Sequence, residues 1–162
     1  LAQMLLVRPA SGGQLVFAGL LSCLLVMLWR RAADLIYALF LGMLPFPGFD
    51  HILVQLLTTP RGWALILTGS AIGGLFAAFA MAISLFSIPM LLERRVDALT
   101  ALGTSFAITT QNLRAVLPWG AIVTLGFALS AATGLLGLIV IFPLLGHGTW
   151  HAWVALRPEV AE

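Results

Sequence analysis

The sequence predicts an all-α fold, namely a polytopic bundle of transmembrane helices with about four spans and short interfacial amphipathic helices. Apolar residues make up 61% of the chain and charged residues only 9%, and the mean hydropathy is +1.09. The apolar runs are continuous rather than alternating, which argues against an outer-membrane barrel. Between Arg114 and Arg157 there is no Asp, Glu, Lys or Arg. A straight helix of that length would be roughly 60 Å long, about twice the hydrocarbon core, so this stretch must fold back within the membrane.

The first element is an apolar run over Gly13–Trp29, about 25 Å of helix and the lower limit for a span. Arg30 and Arg31 follow it, and no helix breaker separates them from the apolar residues 32–44. In one placement the arginines mark the far interface and residues 32–44 lie along the surface. In the other, one tilted helix runs on through them, with the arginines snorkelling or paired, and Asp34 is available to Arg30 at i,i+4. We favour the interface placement because the apolar run nearly suffices to cross.

A turn and a short helix come next. Residues Pro45–Asp50 contain a Pro-Gly turn signal. Asp50 can cap a short apolar helix, His51–Leu57, which suits the membrane surface. Thr59 and Pro60 are residue types preferred at the N-cap and first position of a helix, so the second span is expected to begin there.

The second span, predicted over residues 62–92, is uncharged and rich in small residues. Pro89 is expected to kink it near its end. Small residues permit close helix–helix contact, which matters because lipid supplies no hydrophobic drive between helices. They serve either internal packing of the bundle or contact with another subunit. The members of this small-residue face are Gly69, Ser70, Gly73, Gly74, Ala78 and Ala82.

A modestly amphipathic helix at the interface is expected over residues 96–113. Its apolar face carries Val96, Leu99, Leu102 and Phe106.

Two further spans complete the bundle, over residues 115–133 and 135–156. The hinge between them is expected at Thr133-Gly134, because glycine tolerates a backbone turn at little cost.

All eight basic residues are arginines, and they serve as topology markers. With four spans, one side of the membrane carries Arg61, with or without the Arg30 pair. This side carries fewer arginines than the other, and the imbalance predicts that both chain ends lie on the arginine-rich side, in the cytoplasm of a bacterial inner membrane. The arginines of that cytoplasmic side are Arg8, Arg94, Arg95, Arg114 and Arg157.

The sharpest candidate for chemistry is the segment GHGTWHAW, in which His147 and His151 share one face of a helix. Such a pair can hold two corners of a metal site, or ligate haem. A closed site needs more ligands, however, and His51 lies on the opposite side of the membrane in this topology. We therefore favour an interfacial belt of these histidines with Trp150 and Trp153, and we expect no cofactor.

The charged and reactive residues elsewhere in the chain are weaker candidates for a functional site. Arg30, Arg31 and Asp34 are either interface markers or a buried ionic group, and residues 93–97 indicate a solvated charge cluster. No Ser/His/Asp arrangement, phosphate-binding loop or Cys/His pattern appears, which argues against a conventional enzyme. The scattered arginines form no basic patch for nucleic acid, and the one cysteine, Cys23, excludes an internal disulfide.

Three segments resemble one known family: FPGFDHILVQLLTTPRG (46–62), SIPMLLERRVDALTALGTS (87–105) and GLLGLIVIFPLLGHGTWHAW (134–153). They are similar to domain-of-unknown-function family 2189, a family of predicted bacterial integral membrane proteins, some of which carry a cytochrome c oxidase label. The resemblance covers nearly all of the chain and implies a polytopic membrane protein, without functional residues to carry over. It also leads us to expect that residues 1–162 form a single transmembrane domain, the C-terminal part of a longer chain.

These observations favour a non-catalytic accessory subunit or assembly factor of a larger respiratory or photosynthetic membrane complex. Its partners would be the lipid bilayer and other membrane protein subunits. Two alternatives stay open. One is a redox or metal protein that uses His147 and His151 with donors from a partner; the other is a small transporter or channel with Arg30, Arg31 and Asp34 along its path.

Overall fold

The computed structural model of the chain describes residues 11–42 and 48–156. The described residues are almost entirely helical. Their seven helices are α1 (Gly12–Leu41), α2 (Phe49–Thr58), α3 (Pro60–Ser84), α4 (Ser87–Glu93), α5 (Ala98–Gln111), α6 (Leu113–Ala132) and α7 (Leu138–Leu156).

Four helical segments in the described residues are long and apolar enough to cross a membrane. They confirm the predicted all-α fold with about four spans. Arg8, residues 45–47 of the predicted turn and Arg157 lie outside the described residues. The candidate spans are Gly12–Leu41, Pro60–Glu93, Leu113–Ala132 and Leu138–Leu156.

The helix α1 is uninterrupted over 30 residues and is therefore roughly 45 Å long. It passes through Arg30 and Arg31 without a break, because the residues that follow contain no proline or glycine before Gly42. Gly42 has φ 78 and marks the end of the helix. The structure thus corresponds to the continuous-helix placement and not to the favoured one, a separate surface helix over residues 32–44.

The start of α3 agrees with the prediction from the sequence, whereas the start of α2 does not. α3 begins at Pro60, and Thr59 Oγ1 accepts a hydrogen bond from the N–H of Gly62 at 3.0 Å, as an N-cap does. A side chain at Gly62 would overlap the α2 backbone at Gln55. The predicted Asp50 cap is wrong, because α2 already begins at Phe49, after Gly48.

The second span is broken near its end. α3 ends at Ser84, and α4 begins only at Ser87. Pro89 has no N–H to donate, and its ring crowds the carbonyl of Leu85, so a regular helix cannot continue through this point. The kink predicted from Pro89 is confirmed, and it lies about one turn before the proline.

Part of the apolar face predicted for α5 is turned outward. Leu99 and Phe106, both expected on that face, are 64% and 43% exposed. Small and hydroxyl side chains face the core instead, because they allow α5 to approach its neighbours closely. The buried residues of α5 are Ala98, Ala101, Ser105, Ile108 and Thr109.

The hinge predicted at Thr133-Gly134 is confirmed, since α6 ends at Ala132. α7 begins only at Leu138 and not at residue 135. Gly134 and Leu135 both adopt left-handed backbone angles, with φ 62 and 70, which cannot belong to a right-handed helix. Thr133 Oγ1 accepts a hydrogen bond from the N–H of Gly137 at 3.0 Å and so stabilises the turn.

The chain divides into two compact units. Among the described residues, unit 1 comprises 11–19 and 81–156, and unit 2 comprises 20–42 and 48–80. The single domain expected from the sequence stays a prediction.

Unit 1 is built around α4, which packs against α5 and α7, while α6 packs against α7 and α5. Leu91 and Trp153 are fully buried, and Phe86 is 1% exposed. The rings of Phe86 and Trp153 lie with their centroids 6.4 Å apart. Ala18, near the beginning of α1, joins the same apolar cluster.

Unit 2 combines α2 with parts of α1 and α3. Ile52 of α2 is buried, whereas Leu53 and Leu57 are 54% and 58% exposed. Trp63 at the start of α3 donates a hydrogen bond from Nε1 to the carbonyl of Leu57 at 3.1 Å. The apolar outer side of α2 is of the kind that lies on a membrane surface.

Candidate functional site

One member of the small-residue face of α3 is used for packing inside unit 2. The Trp29 ring of α1 lies over Gly73, where an added Cβ would come within 2.9 Å of Trp29 Cη2. Trp29 also packs on Phe76, with ring centroids 5.5 Å apart. Gly73 is therefore the residue that lets these two helices approach.

The remainder of that face in unit 2 is open. A Cβ added to Gly69 or Gly74 would meet no heavy atom within 4 Å, and Ser70 and Ala78 are exposed. An open groove of about 730 Å³ runs beside Gly69, Ser70 and Gly74 and is bounded on the α1 side by Trp29, Ile36 and Tyr37. Because the side chains here are small, the α3 backbone is accessible to another helix.

Ala82, the last member of the face, belongs to unit 1 and is buried. Its carbonyl accepts hydrogen bonds from Ser105 Oγ at 2.8 Å and Thr109 Oγ1 at 3.4 Å. Ser105 Oγ also accepts a hydrogen bond from the N–H of Phe86 at 3.0 Å. In an uninterrupted helix this N–H and the Ala82 carbonyl would pair directly, so the Ser105 hydroxyl bridges the break in the second span.

The role of Ser105 was not predicted from the sequence. A signal was present, however, because Ala98, Ala101 and Ser105 are small residues spaced three and four apart. Small residues on one helix face also led to the prediction of the small-residue face of α3.

The charged residues of α1 lie on the surface of unit 2. Arg31 and Asp34 approach to 4.0 Å, with side chains 84% and 59% exposed. This is an i,i+3 pair, whereas the sequence suggested Arg30 with Asp34 at i,i+4. Arg30 is exposed as well. An exposed pair of this kind is worth little energetically, and the buried ionic group considered from the sequence is not formed by these residues.

His147 and His151 are both exposed on α7. Nδ1 of His147 lies 2.9 Å from the carbonyl oxygen of Pro143. A carbonyl oxygen only accepts, so this contact is a hydrogen bond only when Nδ1 carries the proton, which leaves Nε2 for other partners. Within the described ranges, no group of three or more His, Cys, Asp or Glu side chains could hold a metal ion.

Sequence analysis did not predict the polar cluster that lies at one end of unit 1. Trp153 was expected in an interfacial belt, yet it is fully buried, and its Nε1 donates a hydrogen bond to Glu93 Oε2 at 2.7 Å. The Arg94 guanidinium lies 5.6 Å from the centroid of the Trp153 ring. Glu93 and Arg94 are thus anchored to α7 rather than forming only a solvated charge cluster. Trp150, by contrast, is 41% exposed, as a belt residue would be.

The beginning of α1 reaches the same end of unit 1. Ser11 N–H donates a hydrogen bond to the carbonyl of Leu91 at 3.2 Å. Ser11 Oγ donates to the carbonyl of Arg94 at 2.9 Å and accepts from the N–H of Val96 at 3.1 Å. The start of α1, the end of α4 and the end of α7 therefore meet.

Asp97 caps α5 beside this cluster. The backbone N–H of Thr100 donates to Asp97 Oδ2 at 2.8 Å. Hydrogen bonds from Thr100 hold the pKa of the Asp97 carboxyl below its ordinary value, because they stabilise the charged form. This carboxylate is therefore ionised at neutral pH and suits the helix N-terminus electrostatically.

A family model described as "Predicted integral membrane protein (DUF2189)" matches residues 1–93. The match contains the segment 46–62 that suggested this resemblance, but it ends within 87–105 and does not reach 134–153. It is therefore shorter than the near-complete coverage expected from the sequence. Neither a curated protein nor a solved structure matches the chain significantly.

Proposed function

Because the chain belongs to the DUF2189 family of predicted integral membrane proteins, we propose that it is a non-catalytic accessory subunit or assembly factor of a larger bacterial membrane complex, respiratory or photosynthetic. Its α3 helix is the partner-binding element in this proposal. The multi-pass architecture with four candidate spans provides the membrane anchor.

The observation that carries the proposal is the open row of Ser70, Gly74 and Ala78 on α3. Lipid tails are as apolar as a helix surface, so helices associate in the membrane through close van der Waals contact and backbone approach. Gly73 already serves that purpose for Trp29 inside unit 2. The neighbouring row offers the same close approach and is exposed, which supports a role in binding a helix of another subunit.

The orientation we propose places both chain ends in the cytoplasm. Its support is the polar end of unit 1, where Ser11, Glu93 and Trp153 lie together. Arg94 and Arg95 follow α4 at that end, and arginine-rich segments are retained on the cytoplasmic side.

The proposal is tested by substituting Gly74→Leu in the full chain. A Cβ added at Gly74 meets no heavy atom within 4 Å among the described residues, so the larger side chain should fit within the monomer and obstruct only a partner. After mild detergent extraction from native membranes and chemical crosslinking, the wild-type chain should carry one membrane protein partner in fixed stoichiometry. The variant should lose most of that partner while remaining folded by circular dichroism.

The matched control is Phe79→Trp, which also enlarges a side chain. Phe79 is exposed on α3 as well but lies about 140° around the helix from Gly74, off the proposed contact row. It should retain the partner. Recovery of the wild-type chain only as a monomer or homodimer, or full retention of the partner by Gly74→Leu, would contradict the proposal.

A further inference from the structure

We infer that His147 and His151 form a two-histidine binding site for a divalent transition metal ion, with Zn²⁺ the best candidate. Residues four apart lie one above the other on a helix, so two imidazoles at this spacing can reach one ion. Imidazole nitrogen is a preferred ligand for zinc, copper and nickel. Both side chains are exposed, so no repacking is needed to bring them to an ion. The site uses none of the residues of the α3 face.

The hydrogen bond of His147 supports ligation. When a histidine binds a metal through one nitrogen, it usually donates its other N–H to a carbonyl or carboxylate, which fixes the ring and its tautomer. Nδ1 of His147 has such a partner, the carbonyl oxygen of Pro143 at 2.9 Å. Nε2 is then the ligating atom, and the ring is already oriented before the metal arrives.

The position of the pair along α7 gives an ion access from water. His151 precedes Trp153 by two residues, and Trp153 Nε1 is hydrogen-bonded to Glu93 at the polar end of unit 1. His147 lies about 6 Å further along the helix axis, one turn deeper. Both imidazoles are therefore within about two turns of the charged residues at that end.

Two imidazoles leave coordination positions for water, since the described residues supply no third side chain to this group. The site should accordingly bind one ion reversibly and depend on both histidines. Loss of either histidine should weaken binding by more than about tenfold, at least the effect seen when a supporting group next to a metal ligand is removed.

The test uses the full chain, purified in mild detergent without a polyhistidine tag and titrated with Zn²⁺ against a coloured chelator. We expect one ion per chain, with His147→Ala and His151→Ala each weakening binding more than about tenfold. The matched control is His51→Ala, an exposed histidine on α2, which should bind Zn²⁺ as the wild type does. Circular dichroism of each variant establishes that its helices are intact.

Two results would overturn the inference. One is a wild-type chain that takes up no zinc. The other is a double variant, His147→Ala with His151→Ala, that still binds one ion with wild-type affinity. Neither result bears on the partner proposal, whose test depends on Gly74.

Discussion

The Ser105 hydroxyl bridges the break in the second span. It donates a hydrogen bond to the Ala82 carbonyl at 2.8 Å and accepts one from the Phe86 N–H at 3.0 Å. Ser105 is fully buried, so water cannot replace it. A buried N–H without a partner costs about 1–3 kcal/mol.

We therefore predict that Ser105→Ala lowers the free energy of unfolding by about 1–3 kcal/mol. SDS titration from a mild detergent, followed by circular dichroism, measures this change. The control is Thr110→Ala, because Thr110 is exposed and its Oγ1, among the described residues, donates to carbonyls of its own helix, Phe106 and Ala107. This control should stay within about 0.5 kcal/mol of the wild type. Equal losses in the two variants would show that the bridging hydroxyl is not important for stability.

At the scale of elements, the α6–α7 hairpin depends on glycines that face large side chains. A side chain at Gly148 would overlap the ring of Trp119, and one at Gly126 would come within 2.9 Å of Ile141 Cγ2. Trp119 Nε1 is buried without a hydrogen-bond partner among the described residues. Contact of its ring with Gly148, rather than a hydrogen bond, therefore fixes the position of Trp119.

Two glycines of α7 should accordingly respond differently to replacement by alanine. Gly148→Ala should destabilise the protein by about 1–3 kcal/mol, because the added methyl overpacks the contact with Trp119. Gly146→Ala meets no atom within 4 Å and should be neutral or stabilising by up to about 1 kcal/mol, since alanine favours the helix. Unfolding of both variants in SDS measures the difference, and a Gly148→Ala protein as stable as Gly146→Ala would contradict this packing.

The sequence was sufficient to predict the helical spans, since long uncharged apolar runs have one stable form in lipid. It also predicted the α6–α7 hinge, because Gly134 can adopt the backbone angles of a turn at little cost. It did not predict that α1 continues through Arg30, because the apolar run before Arg30 nearly suffices to cross and charged side chains are costly at membrane depth. The Ser105 bridge and the Trp153–Glu93 bond join residues 19 to 60 positions apart, and no local pattern encodes such pairs.

The candidate sites also have features that spacing along the chain predicts and features that it does not. Spacing along one helix predicts that His147 and His151 share a face, and both are exposed on α7; spacing also grouped the small residues of α3. Spacing could not indicate which of those small residues are covered: Gly73 lies under Trp29, whereas Gly74 is open. That distinction depends on where a second helix passes, which is a tertiary property.

At the scale of the whole molecule, unit 1 constrains the topology. Ser11 contacts Leu91 and Arg94, and Trp153 contacts Glu93, so these segments share one end. α6 contains 20 residues, about 30 Å and enough to cross the hydrocarbon core. The α6–α7 turn should therefore lie on the opposite side of the membrane from Arg95.

Cysteine labelling tests this arrangement. Cys23→Ser removes the chain's one native cysteine, and single cysteines are then introduced by Arg95→Cys, Ala155→Cys and Leu136→Cys, all at exposed positions. A membrane-impermeant thiol reagent applied to intact cells should label only the Leu136→Cys chain, and in inverted vesicles only the other two. Labelling of Arg95→Cys and Ala155→Cys from different sides would contradict the hairpin, because Trp153 could not then reach Glu93. If those two share a side but react in intact cells, the hairpin stands and the ends face outward, against the orientation that the arginines predict.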